Sequence, residues 1–157
     1  MIALLQRVLR AEVTIERRLV AAIGPGILAL IGVEGSDELQ HGHRLLQRIL
    51  SYRIFDDESG KMNRSVLDVA GGLLLVPQFT LVADTDKGNR PSFSRGAAPA
   101  LGRQRFDELL EYARTQHGQI EAGVFGAAMQ VLLVNDGPAT FWLRAGADTG
   151  LKDSTKS

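Results

Sequence analysis

The first third of the chain alternates in the manner of strands. Ile2 to Leu9 is apolar with polar interruptions, Val13-Thr14-Ile15 is β-branched, and Gly24-Pro25-Gly26 forms a turn before the apolar run Ile27 to Val33. Two or three strands therefore open the fold. From Ser36 the period changes, because Leu39, Leu45, Leu46, Ile49, Leu50 and Arg53 fall near helical spacing. Ser36 is the expected N-cap, Asp37 and Glu38 favour the positive helix end, and the helix runs to about Tyr52.

Asp56 to Gly60 is a turn cluster, after which Gly71-Gly72 opens the apolar run Leu73 to Val82, read as a buried central strand. Pro77 cannot donate to a ladder, so it marks a strand edge, a bulge, or the point where the strand ends and a functional loop begins. Ala83 to Gly96 is polar enough for a long surface loop. A second helix is expected from about Pro99 to His117, with Leu101, Phe106, Leu109, Leu110 and Ala113 as its apolar face and Gly118 as its stop. Strands return at Ala127 to Val134 and Thr140 to Ala145, separated by Asn135-Asp136-Gly137-Pro138. The fold class is α+β: one domain over residues 1–145, with a mixed or antiparallel sheet or partly closed barrel and two main helices. Residues 146–157 are small, polar and charged, as expected of a flexible tail.

Composition narrows the chemistry. With 157 residues the chain can bury a core without staples, and with no cysteine it has no disulfide, thiolate nucleophile or cysteine metal site. Eighteen basic residues balance eighteen acidic ones, so contact with nucleic acid must come from a local patch. Met1 to Arg10 lacks the long apolar core of a signal peptide, and no apolar run approaches the ~20 residues of a membrane span. A soluble, unexported protein is expected.

The histidines make a poor metal or base set. His41 and His43 are two apart on a helix and point to different sides, while His117 sits where it complements a helix C-terminus. Asp56-Asp57-Glu58 and Asp84-Thr85-Asp86 match no calcium loop and read as solvated turns. Serine-hydrolase elbow, phosphate loop and dinucleotide fingerprint are all missing from the sequence. The glycines at 24, 26, 71, 72 and 137 read first as turn residues.

Two segments stand out. In Pro77-Gln78-Phe79-Thr80-Leu81, polar residues interrupt the end of an apolar strand; either Gln78 simply faces water, or the strand end presents backbone N–H groups and a hydroxyl to a ligand. Asn135 to Thr140 is either a hairpin loop or the site of a cis Gly-Pro bond that fixes the direction of two carbonyls.

At these segments the chain resembles the D-aminoacyl-tRNA deacylases, also called D-tyrosyl-tRNA deacylases. The likeness runs to about residue 145 through Gln6-Arg7-Val8, Gly24-Pro25-Gly26, Gly60-Lys61-Met62-Asn63, Gln78-Phe79-Thr80-Leu81, Arg90-Pro91-Ser92-Phe93, Phe125-Gly126-Ala127 with Met129, and Asn135-Asp136-Gly137-Pro138. The resemblance implies a cytoplasmic homodimer, without cofactor or metal, that binds the 3′ end of aminoacyl-tRNA. It would hydrolyse the ester of D-aminoacyl-tRNA, and of glycyl-tRNA mischarged on tRNA-Ala, while sparing L-aminoacyl-tRNA. In that picture Gly137-Pro138 is cis, reaches into the partner's site and crowds out an L side chain, and Arg7 helps hold the loop. Gln78, Phe79 and Thr80 match the catalytic pocket floor, and Phe125 and Met129 match the positions that take the terminal adenine.

An aminoacyl ester is already reactive, so positioning and oxyanion stabilisation by backbone N–H groups near Phe79 and Thr80 suffice, with water assisted by the ribose 2′-hydroxyl. Thr80 as nucleophile is the rival mechanism, for which no base is evident in the sequence. Pro77 stands where the family usually has serine, and Ala139 where it often has valine. Two other functions compete with this one: a non-catalytic dimeric protein that binds aminoacyl-tRNA or a D-amino acid, and a generic esterase.

Overall fold

A computed structural model describes residues 1–146. In chain order the elements are β1 (Ile2–Ile15), β2 (Arg18–Ile23), β3 (Gly26–Gly32), α1 (Leu39–Ser51), β4 (Phe55–Asp56), β5 (Met62–Arg64), β6 (Gly72–Pro77), a 3₁₀ turn (Phe79–Val82), α2 (Pro99–Gln116), β7 (Ile120–Ala122) and β8 (Gln130–Arg144). The main sheet is mixed: β1 pairs antiparallel with β2, β3 and β8, while β3–β6 and β6–β7 are parallel. This is the expected α+β fold with two helices. The expected tail lies outside the described residues, apart from Gly146.

β1 organises the whole sheet because it is one strand of 14 residues rather than two short ones. Its first half pairs with β3, its second half with β2, and β8 follows it along the other side. The sheet therefore curls toward a partly closed barrel with two cores. One face packs Leu5, Ile27, Leu73 and Leu75 against Leu45, Leu46 and Ile49 of α1 and Phe106 and Leu109 of α2. The other face encloses Val8, Val13, Ile23, Leu28, Leu74 and Val76. Residues 13 and 15 were legible as strand, but the turn that follows them was not. Glu16 and Arg17 both take positive φ, 48° and 65°, as a two-residue hairpin of the primed type requires, although neither is glycine or asparagine.

Gly26 and Gly72 are not turn residues, as expected from sequence, but the paired first residues of β3 and β6. A Cβ on Gly26 would stand 2.0 Å from the Gly72 carbonyl oxygen, so the two strands could not approach each other with any other residue there.

The N-cap of α1 is Glu38, not Ser36. Its N–H donates to His41 Nδ1 at 3.1 Å, so a histidine completes the helix start. Asp37 is diverted elsewhere. The Met1 ammonium, fully buried, bonds to Asp37 Oδ1, to Glu34 Oε2 at 3.2 Å and to the Ala145 carbonyl at 2.6 Å, while Arg144 reaches Glu34 at 2.8 and 3.1 Å. Both chain ends of the described fold meet there.

Burial raises the Glu34 pKa, but the Arg144 guanidinium and the Met1 ammonium outweigh it and hold the carboxyl below its ordinary value. A depressed folded-state pKa stabilises above the unfolded value and is lost as pH falls through the folded one. Stability should therefore decline as pH drops below the ordinary glutamate range, and Glu34→Gln should flatten that part of the profile. Urea unfolding at a series of acidic pH values checks it; an equally steep profile in the variant would contradict the assignment.

α2 runs to Gln116 with His117 as C-cap, whose φ of −150° is extended, so Gly118 supplies no left-handed stop. His117 Nε2 instead lies 2.7 Å from the Gly71 carbonyl oxygen and ties the helix end to the start of β6. The acidic turn behaves as read. Asp57 accepts bonds from the Ser59 hydroxyl, the Asn63 amide and the Lys61 N–H, which hold its carboxyl well below the usual range. Among the described residues no helix is long and apolar enough to cross a membrane.

Candidate active site

The buried strand β6 ends at Pro77, short of Val82, where the apolar run read as a strand ends. On one side Gln78 N–H donates to the Ile31 carbonyl at 2.7 Å. Successive residues of a strand turn their backbone groups to opposite sides, so the Pro77 nitrogen faces the β7 side, where pairing has already stopped at Leu75–Ala122. Proline therefore breaks no ladder bond here. Pro77→Ser should leave kcat/KM within a few-fold of the parent in a deacylation assay. A large rise would show that the family's serine hydroxyl contributes directly.

Beyond Pro77 the chain coils into the 3₁₀ turn, although Phe79, Thr80 and Val82 are good strand formers. Packing overrides propensity: Leu81 and Val82 turn back onto the end of β3, where a Cβ on Gly32 would meet their side chains at 3.0 and 3.1 Å. As the first two residues of the turn, Phe79 and Thr80 have N–H groups with no intrahelical acceptor. Among the described residues neither has another acceptor, whereas Leu81 N–H reaches Gln78 O at 3.3 Å and Ala83 N–H reaches Thr80 O at 3.2 Å. The Gln78 side-chain amide donates to Thr80 Oγ1. Among the described residues no base touches that hydroxyl.

These residues border a cleft of about 470 Å³ lined by Pro77, Gln78, Phe79, Phe125, Gly126 and Met129, among others. Four of the residues singled out from sequence, Gln78, Phe79, Phe125 and Met129, thus meet around one space. Thr80 lies one residue beyond the lining. The far wall is the loop between β7 and β8. Met129 Sδ accepts the Val124 N–H at 3.3 Å, and the Arg103 guanidinium lies 5.2 Å over the Phe125 ring with Nη2 3.3 Å from the Phe125 carbonyl. Arg103 escaped the sequence reading because it sits on the polar side of α2, where a basic residue carries no signal.

Arg7, Gly137 and Pro138 form a second group, and none of them lines the cleft of their own chain. Of the two readings of this segment, the hairpin loop does not form: β8 is one strand from Gln130 to Arg144, and Asn135-Asp136-Gly137-Pro138 lies within it. Gln6 pairs with Thr140 and Val8 with Asn135, so residues 136–139 bulge out opposite Arg7. The Gly137–Pro138 peptide is cis, and both residues are exposed. Asn135 closes the base of the bulge, its amide donating to the Arg7 carbonyl at 3.0 Å and the Ala139 carbonyl at 3.2 Å.

Arg7 is 7% exposed, an unusual place for a guanidinium. Nη1 donates to the Ile54 carbonyl at 2.8 Å, and Nε stands 3.1 Å from Asp136 Oδ2 as an ion pair whose angle falls short of a hydrogen bond. Asp56 adds a longer contact at 3.7 Å. Gly137 has φ +119°, and a Cβ there would lie 3.0 Å from both Ala139 N and Arg7 Nη2. The bulge is thus braced from below and open above.

The histidines lie away from both groups: His41 caps α1, His43 stacks on Tyr112 at 3.9 Å and His117 holds Gly71. Among the described residues no three histidine, cysteine, aspartate or glutamate side chains cluster as a metal site would need.

The chain is similar to several known proteins. The family model for D-Tyr-tRNA(Tyr) deacylase matches residues 4–144. A D-aminoacyl-tRNA deacylase of Thioalkalivibrio sulfidiphilus is 59% identical over 91% of this chain and 96% of its own length. One from Xanthomonas oryzae pv. oryzae is 57% identical over 92% and 99%. Among solved structures, the c-Myc DNA unwinding element binding protein superposes with a TM-score of 0.89 at 39% identity, covering 94% of this chain and all of that one. A probable eukaryotic D-amino acid tRNA deacylase shares the fold, with a TM-score of 0.80 at 16% identity over 90% and 98%. The chain belongs to the D-aminoacyl-tRNA deacylase family, hydrolases that cleave D-amino acids from tRNA.

Proposed function

We propose that the cleft hydrolyses D-aminoacyl-tRNA, and glycyl-tRNA mischarged on tRNA-Ala, in the cytoplasm, and that chirality is enforced by the Gly137–Pro138 bulge of a second subunit. The observation that carries this reading is the pair of N–H groups of Phe79 and Thr80, without acceptors and beside an apolar cleft. Phe125 and Met129 supply the wall for the terminal adenine. The ester carbonyl then lies against the 3₁₀ turn. Water adds to the carbonyl carbon, the two N–H groups take the negative oxygen, and the ester C–O bond breaks with the ribose 3′-oxygen leaving and recovering a proton. The neighbouring 2′-hydroxyl assists the water. Thr80 is disfavoured as nucleophile because its hydroxyl faces the Gln78 amide, a donor and not a base.

Separation of the bulge from its own cleft motivates the cross-subunit arrangement. The bulge protrudes from β8, which among the described residues is an edge strand that pairs only with β1. Leu132 and Val134, 48% and 38% exposed, stand opposite Glu12 and Arg10 of β1, and Trp142, 56% exposed, stands opposite Leu4, so this edge carries uncovered apolar side chains. A second copy would cover it and carry its bulge to the neighbouring cleft. There the backbone carbonyls meet the amino group and leave no room for an L side chain. Selection by exclusion admits glycine, which has nothing to exclude, and is indifferent to the size of a D side chain.

Sedimentation combined with glycyl-tRNA turnover tests the arrangement. A dimer that releases glycine over many turnovers is expected; a fully active monomer would contradict the cross-subunit gate. Stoichiometric binding without release would favour the non-catalytic reading.

A further inference from the structure

Arg90-Pro91-Ser92-Phe93 is a motif with no part in the cleft chemistry, yet the fold brings it to the cleft's edge. Asp84 and Ser92 bridge the loop's two arms, and Phe93 O accepts the Gly96 N–H at 3.0 Å, which turns the chain toward Ala97 in the cleft lining. The Phe93 ring is thereby held 5.2 Å from the Phe79 ring at 50°. Both are exposed, by 42% and 63%, where paired phenylalanines would ordinarily be covered.

We infer that Phe79 and Phe93 form a stacking subsite for the nucleotide that precedes the terminal adenosine in a single-stranded RNA 3′ end. The inference rests on the deacylase reading, since Phe79 also lines the cleft and so joins the two subsites. Interleaving of aromatic and basic residues is the pattern of single-strand recognition: bases stack on the rings while cations follow the backbone. Here Arg90 and Arg95 flank Phe93 in sequence, and Lys87 lies on the same loop. Asp84 is taken up by Arg95 at 3.4 Å, whereas among the described residues no carboxylate pairs with Lys87 or Arg90, which are exposed. Phe79 thus has two surfaces in use: its backbone N–H faces the ester and its ring faces the preceding base.

The test uses binding and turnover together. The dinucleotide cytidylyl-adenosine should bind the protein more tightly than adenosine 5′-monophosphate, and Phe93→Leu, which keeps an apolar side chain, should remove about a tenfold advantage. Phe93→Tyr should restore it. In turnover, Phe93→Leu should raise KM for D-aminoacyl-tRNA several-fold more than for D-aminoacyl-adenosine, which lacks the stacked nucleotide. Equal binding of the two nucleotides by the parent, or equal penalties on the two substrates, would overturn the subsite. Hydrolysis of neither substrate, with dinucleotide binding intact, would overturn the deacylase reading instead.

Discussion

Phe79→Pro should lower kcat on D-aminoacyl-tRNA by roughly 10²–10³ relative to Phe79→Ala, the usual cost of losing one oxyanion donor. Both variants lose the ring, so the difference between them isolates the backbone N–H. The backbone accommodates proline at this point. Phe79 is the first residue of the 3₁₀ turn, where a missing N–H leaves no intrahelical bond unmade. Gln78 before it has φ −140° and ψ 82°, outside the helical region that a following proline disfavours. Steady-state kinetics should place the loss in kcat, with KM close to that of the alanine variant, because the oxyanion exists only in the transition state. Thr80→Val, which retains its N–H and drops the hydroxyl, should be mild by comparison. Equal rates for the proline and alanine variants, or loss of all activity in Thr80→Val, would favour the rival threonine nucleophile.

Gly137→Ala should reduce the preference for D- over L-aminoacyl-tRNA by about tenfold or more. The added Cβ meets Ala139 N and Arg7 Nη2, both at 3.0 Å, and the backbone is left-handed with φ +119°. A strain of about 1–3 kcal/mol has to be relieved, and the bulge is the part free to move because Gly137 and Pro138 are exposed above a braced base. In the proposed gate, displacement of the carbonyls would widen the space from which an L side chain is excluded. Rates on both substrates, together with a urea midpoint, distinguish this from general damage. A lower midpoint with an unchanged D-to-L ratio would make the bulge structural and not selective.

Much of this was legible in the sequence where one level of structure decided the outcome. The helices followed from their 3.6-residue spacing, while β6 was read to Val82 and its end at Pro77 was one of three meanings that a proline in an apolar run left open. Residues 78 to 80 stood out because polar residues sat where a strand should have continued, whereas Phe125 and Met129 were named through resemblance. The failures share a cause: tertiary contacts outweighed local preference. The 3₁₀ turn is written in strand-forming residues but is bent by packing on Gly32. The tight turn at Glu16–Arg17 lacks turn residues and is imposed by the pairing of Ile15 with Arg18. Asn135 to Pro138 has turn composition, yet Asn135 spends its side chain bridging the bulge base, so the strand resumes on the same course. β7 is only Ile120–Ala122, too short for any period to register. Arg7 was named through resemblance alone, since nothing in a strand pattern reveals a buried guanidinium.

Release of amino acid from D-tyrosyl-tRNA and L-tyrosyl-tRNA, measured side by side with substrate in large excess over protein, tests the central claim most directly. The account predicts many turnovers on the D substrate and none on the L substrate. Comparable cleavage of both would contradict the chiral gate, and cleavage of neither would contradict the hydrolytic site itself.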